Sequence, residues 1–198
     1  MSGEGETRRP PLERLGRQSL ARAQAWADGG RLRRWAFEFL MFGIKQGWAC
    51  LFGGLLLGLI LVTFLLWPEG APLARYDFLV LGDVAIQAAM LAFRLETWAE
   101  ARVIFLFHLA GTVMELFKTA HGSWIYPEPS LLRIGDVPLF SGFMYAAVGS
   151  YIARVQRIFH IRVRRFPPLW ALWGLAAAVY VNFFAHHWLP DERLALFA

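Results

Sequence analysis

The stretch WAFEFLMFGIKQGWACLFGGLLLGLILVTFLLW, residues 35–67, carries only Glu38 and Lys45 as charged side chains. At about 1.5 Å per residue, a helix of this length exceeds the roughly 30 Å of a bilayer core. It is therefore read as an interfacial segment, residues 35–44, leading into a span at about 47–67. Lys45 and Gln46 then fall at the cytoplasmic boundary, and Pro68-Glu69-Gly70 ends the span.

Further apolar runs follow at about 78–93, 103–120, 137–157 and 168–189. Pro167-Pro168 opens the last of them, a position at which proline suits a first helical turn. The expected fold is all-α: a polytopic transmembrane helical bundle of about five spans, with a basic cytoplasmic tail at 1–34 and a membrane domain at 35–198. In the tail, Leu12, Leu15, Ala23 and Trp26 share one helical face, with Arg14, Arg17 and Arg22 elsewhere. Two readings stand: an interfacial helix or a solvated, disordered segment. Gly29-Gly30 breaks either.

Loop charges orient the bundle. The tail through Lys45 holds nine Lys/Arg, the loop after the second span holds Arg94 and Arg102, and the loop after the fourth holds Arg154, Arg157, Arg162, Arg164 and Arg165. The opposite loops hold only Arg75, Arg133 and Arg193. Lys/Arg excess marks the cytoplasmic side, so the N-terminus is expected there. Trp67, Tyr76, Trp98, Trp124, Tyr126, Trp170 and Trp188 lie near span ends, as interfacial aromatic residues do.

Composition agrees. Hydrophobic residues make up 57% of 198 and charged residues 18%, too apolar for an ordinary soluble domain. The net charge of +5 would suggest nucleic acid in a soluble protein, but these cations sit between apolar runs, so no nucleic-acid partner is expected. The lipid bilayer is the expected partner, with anionic lipid contacts at cytoplasmic arginines such as Arg162, Arg164 and Arg165. The first long apolar run begins after about 35 polar residues, the wrong layout for a cleavable signal peptide. One cysteine, Cys50, excludes a disulfide within the chain. Oligomeric state is left open.

Ionisable groups at membrane depth are costly and default to a functional hypothesis. The third span is the richest. His108, Gly111, Thr112, Glu115, Lys118 and Gly122 recur at spacings of three and four and share a face. Glu115 and Lys118 are placed to form an i,i+3 ion pair. The candidate catalytic residues are Glu115, as proton donor or acceptor, with His108 and Lys118 tuning it. The competing reading is a structural pair that holds helices together. Asp83 and Gln87 share a face of the second span. With Trp124, Tyr126, Asn182, His186 and His187 they form the candidate substrate-binding set; the bland alternative for Asp83 is pairing with Lys118, and for the histidines it is interfacial hydrogen bonding. His186 and His187 with Glu115 and His121 have metal-ligand chemistry, but neither HExxH nor histidine boxes occur. No metal is assigned, and the cofactor is unknown.

The outer loop 122–136 contains Pro127, Pro129 and Gly135. It either folds back as a lid or re-entrant segment or is a rigid connector anchored by Trp124 and Tyr126. On the cytoplasmic side Arg94, Glu96, Glu100 and Arg102 are expected to form a solvated ion-pair network. No Walker, Rossmann, serine-hydrolase or zinc-ribbon pattern is present.

The stretches KQ (45–46), RYDFL (75–79), RLET (94–97), VIFLFHLAGTVMELFKTAHGSWIYPEP (103–129), RIGDVPLFSGFMYAAVGSYIAR (133–154) and VNFFAHH (181–187) resemble the bacterial membrane family catalogued as domain of unknown function eight-one-seven. The resemblance covers roughly residues 37–198. It implies an integral membrane protein of the bacterial inner membrane and no established activity. Members of that family run on past the segment matching 191–198, so the resemblance implies a C-terminally shortened member. Glu115, the loop 122–126 and residues 135–138 are also similar to the layout of carotenoid-modifying membrane hydratases, an analogy of motif order.

Three function classes remain: acid/base chemistry on a lipid or isoprenoid within the bilayer, transport of a small solute or ion past Asp83, Glu115 and Lys118, and a structural or assembly role. The absence of an inverted repeat speaks against transport.

Overall fold

Apolar runs punctuated by glycine, proline and capping residues fold into seven α-helices among the described residues: α1 (Pro11–Ala27), α2 (Arg31–Ala49), α3 (Leu51–Leu66), α4 (Arg75–Ala92), α5 (Trp98–Ala120), α6 (Phe140–Ile158) and α7 (Leu169–Ala185). The computed structural model describes residues 11–162, 164–185, 188, 190, 192 and 195, with side chains from Ser19 onward. Two-residue strands β1 (Arg133–Ile134) and β2 (Val137–Pro138) pair antiparallel between α5 and α6. The chain divides into two units, Met1–Leu51 and Phe52–Ala198.

In the first unit α1 and α2 pack together. The break between them falls at Gly29-Gly30, and Gly30 is the N-cap of α2. Trp35, Phe39, Leu40, Phe42, Ile44 and Trp48 are exposed along α2. This helix runs on past the expected boundary at Gly47. It ends at Cys50, whose N–H donates to Gln46 O at 2.9 Å. The 16 residues of α3 therefore cover only about 24 Å.

The second unit is organised around α5 and α6. Glycines let these helices approach closely: Gly111 lies under the Tyr145 ring, Gly142 against His108 and Thr112, and Gly149 against Phe107. A Cβ at Gly111 would come within 2.5 Å of that ring, closer than a packed interior tolerates. α5 begins at Trp98, earlier than the apolar pattern suggests, because Thr97 and Glu100 form a capping box. It ends in a Schellman motif. Gly122 takes φ +68°, its N–H donates to Thr119 O, and the Ser123 N–H donates to Lys118 O.

The loop between α5 and α6 is tied down at several points. The fully buried Asp77 of α4 accepts from the Leu131 and Leu132 N–H groups at 2.7 to 2.9 Å. Arg75 clamps Glu128, with Nε donating at 2.9 Å. A tight turn at Gly135, φ +57°, closes the hairpin. Beneath it Tyr76, Leu79, Val80 and Phe140 form a core, with Tyr126 packed on it. The connector is thus anchored, as one of the two expectations for this loop had it.

Among the described residues, α5 alone is long and apolar enough by itself to cross a membrane, and α2 with α3 pass the same test only as a pair. The interior holds ionisable groups: Asp77, Asp83, Glu96, Glu100, Glu115, Lys118 and Arg154 are all buried. Large apolar side chains face outward, among them Phe64 on α3, Leu81 on α4, Leu106 on α5, Val148 on α6 and Trp173 on α7.

Candidate functional site

Glu115 sits on the buried face of α5, with 2% of its surface exposed. Three donors converge on its carboxylate. Trp124 Nε1 and Tyr126 OH donate to Oε2 at 2.7 and 2.6 Å, and Tyr145 OH donates to Oε1 at 2.7 Å. Hydrogen bonds to an ionised carboxylate are short and about twice as strong as neutral ones. Burial pushes the Tyr126 phenol above its ordinary value, and its bond to Glu115 pushes it the same way. The cluster joins α5, α6 and the anchored loop through one carboxylate.

The expected i,i+3 ion pair between Glu115 and Lys118 is not among the ion pairs of the described residues. Three aromatic donors surround the carboxylate, while the Lys118 ammonium lies 4.4 Å from the centroid of the Phe183 ring on α7. The Asn182 Oδ1 accepts from the Glu192 N–H at 2.9 Å. His121 donates from Nδ1 to Phe117 O at 2.8 Å, and its ring meets Trp188 edge-on. His186 and His187, named among the candidates, lie outside the described residues.

His108 lies seven residues before Glu115 on α5, about 10 Å along the axis. His108 lines a cavity of about 390 Å³ between α4 and α5, closed on one side by Phe143 of α6. Val84, Leu91, Ile104 and Phe105 supply an almost wholly apolar wall; Gln87 and His108 also line it, with Gln87 Oε1 and His108 Nδ1 enclosed rather than open to it. The His108 ring packs on Phe143 at 4.4 Å between centroids. Its Nδ1 is buried, facing Gly142 of α6.

Gln87 is fixed by what lies behind it. Its Nε2 donates to Glu96 Oε2 at 2.6 Å, which leaves Oε1 without a partner among the described residues. Glu96 Oε1 accepts from Ser150 Oγ and from Arg154 Nη2, both at 3.0 Å. The Glu96–Arg154 pair has both side chains 0% exposed. Arg157 adds a pair with the buried Glu100 at 3.1 Å. Asp83, one turn from Gln87 on α4, is fully buried and neither carboxylate oxygen has a hydrogen-bond partner among the described residues.

The solvated network expected of Arg94, Glu96, Glu100 and Arg102 is therefore corrected. Glu96 and Glu100 are buried, and their partners are arginines of α6. A visible signal existed for one member: the T-x-x-E spacing of Thr97 and Glu100 is a capping box, which turns Glu100 back onto the chain. No local signal pairs Glu96 with Arg154, 58 residues away.

The family model described as "Protein of unknown function (DUF817)" matches residues 38–198. An uncharacterized protein, YoaT of Bacillus subtilis (strain 168), is 41% identical over 156 residues. That alignment covers 79% of this chain and 58% of the relative, so the chain spans little more than half the length of the curated relative it matches. No solved structure matches. By the extent of both similarities, the chain belongs to the DUF817 family.

Proposed function

We propose that this chain is a five-span membrane protein, with its N-terminus in the cytoplasm, that performs acid/base chemistry on a lipid or isoprenoid held between α4 and α5. The observation that carries the proposal is the cavity of about 390 Å³ whose polar lining residues are Gln87 and His108. Small-molecule sites are mostly apolar with a few placed polar groups, and about 300 Å³ is the lower end of their size range. The inside-out distribution of polarity supports the bilayer setting, because ionisable groups within a membrane face the bundle interior. The charge asymmetry of the loops supports the orientation.

His108 takes the acid/base role because an imidazole has one nitrogen that donates and one that accepts a proton and because it lines the cavity. Glu115 takes a positioning role: both of its oxygens are engaged, and it fixes α6 and the loop relative to α5.

The test is lipid and metabolite profiling of a strain lacking the gene, complemented with wild type, His108→Phe or Glu115→Gln at matched membrane levels. Wild type restores the profile, His108→Phe does not, and Glu115→Gln restores it in part. Full restoration by His108→Phe would remove the chemistry from this cavity.

A further inference from the structure

Asp83 lies at the middle of α4 with its side chain fully enclosed. Among the described residues neither of its carboxylate oxygens has a hydrogen-bond partner, and no ion pair includes it. The neighbouring helices spend their charges elsewhere. α3, which meets α4 where Leu59 packs on Gly82, contains no ionisable residue. On α6, Arg154 pairs with Glu96, Arg157 pairs with Glu100, Tyr145 donates to Glu115, and Tyr151 makes no hydrogen bond to Asp83. On α5, Lys118 lies over Phe183, Arg102 is exposed, and the His108 Nδ1 faces Gly142. An ionised carboxylate enclosed without a partner is far costlier than a neutral one, and such a group takes up a proton instead.

A neutral carboxyl carries a hydroxyl that needs an acceptor. Gln87, one turn along α4, has one to offer. Its Nε2 donates to Glu96 Oε2 at 2.6 Å, and Glu96, ionised beside Arg154, can only accept. The amide orientation is thereby fixed, with Oε1 enclosed and without a donor among the described residues. Residues four apart on a helix are neighbours, and Asp and Gln at that spacing hydrogen-bond. One proton shared between Asp83 and Gln87 answers both deficits. No group of three His, Cys, Asp or Glu side chains suited to a metal ion occurs among the described residues, which favours a proton over a metal cation as the ligand.

We propose that Asp83 and Gln87 form a proton-binding site inside the helix bundle: one proton, taken from water, resides on the Asp83 carboxyl and is donated to Gln87 Oε1, while Glu96 holds the amide in its accepting orientation. Loss of that proton sets a carboxylate against the Gln87 carbonyl, and the amide cannot turn its NH2 group toward Asp83 without leaving Glu96. Occupancy of the site is therefore tied to the Gln87–Glu96 contact at the turn between α4 and α5. The site needs nothing from the α4–α5 cavity and stands apart from the His108 chemistry.

The test is infrared spectroscopy of the full chain in phosphatidylcholine nanodiscs at neutral pH, with the aspartate carboxyls isotopically labelled. A protonated carboxyl shows a C=O stretch well above the carboxylate bands, and the label assigns it to aspartate rather than to glutamate. The expected result is one such band in the wild type, lost in Asp83→Asn and moved to higher frequency in Gln87→Leu, where the hydroxyl has lost its acceptor. Exchanging choline for sodium as the buffer cation leaves the band in place. Asp83→Asn puts an amide donor where the hydroxyl was, so this variant elutes as wild type does and unfolds at the same SDS fraction. Absence of the labelled band in the wild type, or its disappearance on adding sodium, overturns the proton site. A band that persists in folded Asp83→Asn belongs to another aspartate and overturns it equally. A band unmoved in Gln87→Leu removes Gln87 as the acceptor. The wild-type and Gln87→Leu spectra decide the matter even where Asp83→Asn fails to fold.

Discussion

Arg154→Met removes the cation from the one ion pair among the described residues whose two side chains are both fully excluded from solvent. At 3.0 Å and an effective dielectric near 20, the attraction between Arg154 and Glu96 is about 5 to 6 kcal/mol. Desolvation of both groups offsets most of that, so the intact pair adds little net stability. Removing one partner is different, because Glu96 stays buried with its charge uncompensated, held only by Ser150 and Gln87. The expected loss is about 3 to 5 kcal/mol. The double variant Glu96→Leu, Arg154→Met strands no charge and should lie at least about 2 kcal/mol above either single variant, despite the unsatisfied Gln87 amide. The assay is reversible unfolding of the full chain in mixed micelles, followed by helical circular dichroism against SDS fraction. Arg154→Met within about 1 kcal/mol of wild type, or a double variant as costly as the sum of the singles, would refute the buried-pair argument.

Tyr145→Phe removes one of three donors to Glu115 and should cost about 1.5 to 3 kcal/mol in the same assay, with Trp124→Phe coupling to it in a double-mutant cycle. Asp77→Ala frees the Leu131 and Leu132 amides; hydrogen exchange at those two positions should accelerate at least tenfold while α5 amides change little. Tyr126 supplies a pH signature. Its folded value is raised above the ordinary value of 10, by burial first and Glu115 next, so its contribution is fully present below pH 10 and is lost as pH rises through the folded value. Tyr126→Phe should therefore flatten the alkaline fall in stability above pH 10. Gly111→Ala should displace the Tyr145 ring from Glu115 and destabilise the protein by about 1 to 3 kcal/mol, read by the same unfolding curve.

The helical class was legible because the apolar runs are long and separated by Pro, Gly and charged residues. The expected runs at 78–93 and 137–157 fall within a few residues of α4 and α6. Glu115 was legible as a buried group, and Trp124 and Tyr126 as anchors of the outer loop. Their convergence was not, since Tyr145 lies 30 residues from Glu115 and reaches it only because Gly111 lets α6 approach. Local spacing instead pointed to Lys118, a neighbour on the same face that the tertiary structure assigns to Phe183. Arg154 was misread for a related reason. An arginine at the end of an apolar run has the same sequence appearance whether it meets solvent or a carboxylate from another helix. The role of Gln87 depends on a contact with Glu96, around the turn between α4 and α5, that no periodicity encodes.

The proposed membrane arrangement is tested by which loops face which side of the bilayer. Single cysteines in a Cys50→Ser background, at Ser19, Glu69, Arg94, Ser130, His160 and Glu192, report this in intact cells through a membrane-impermeant maleimide. Labelling of Glu69→Cys, Ser130→Cys and Glu192→Cys, with Ser19→Cys, Arg94→Cys and His160→Cys labelled only after permeabilisation, is the result the five-span arrangement predicts. Labelling of Arg94→Cys together with Ser130→Cys in intact cells would contradict it, since α5 would then not cross the membrane and the Glu115 and His108 clusters would not lie at its depth.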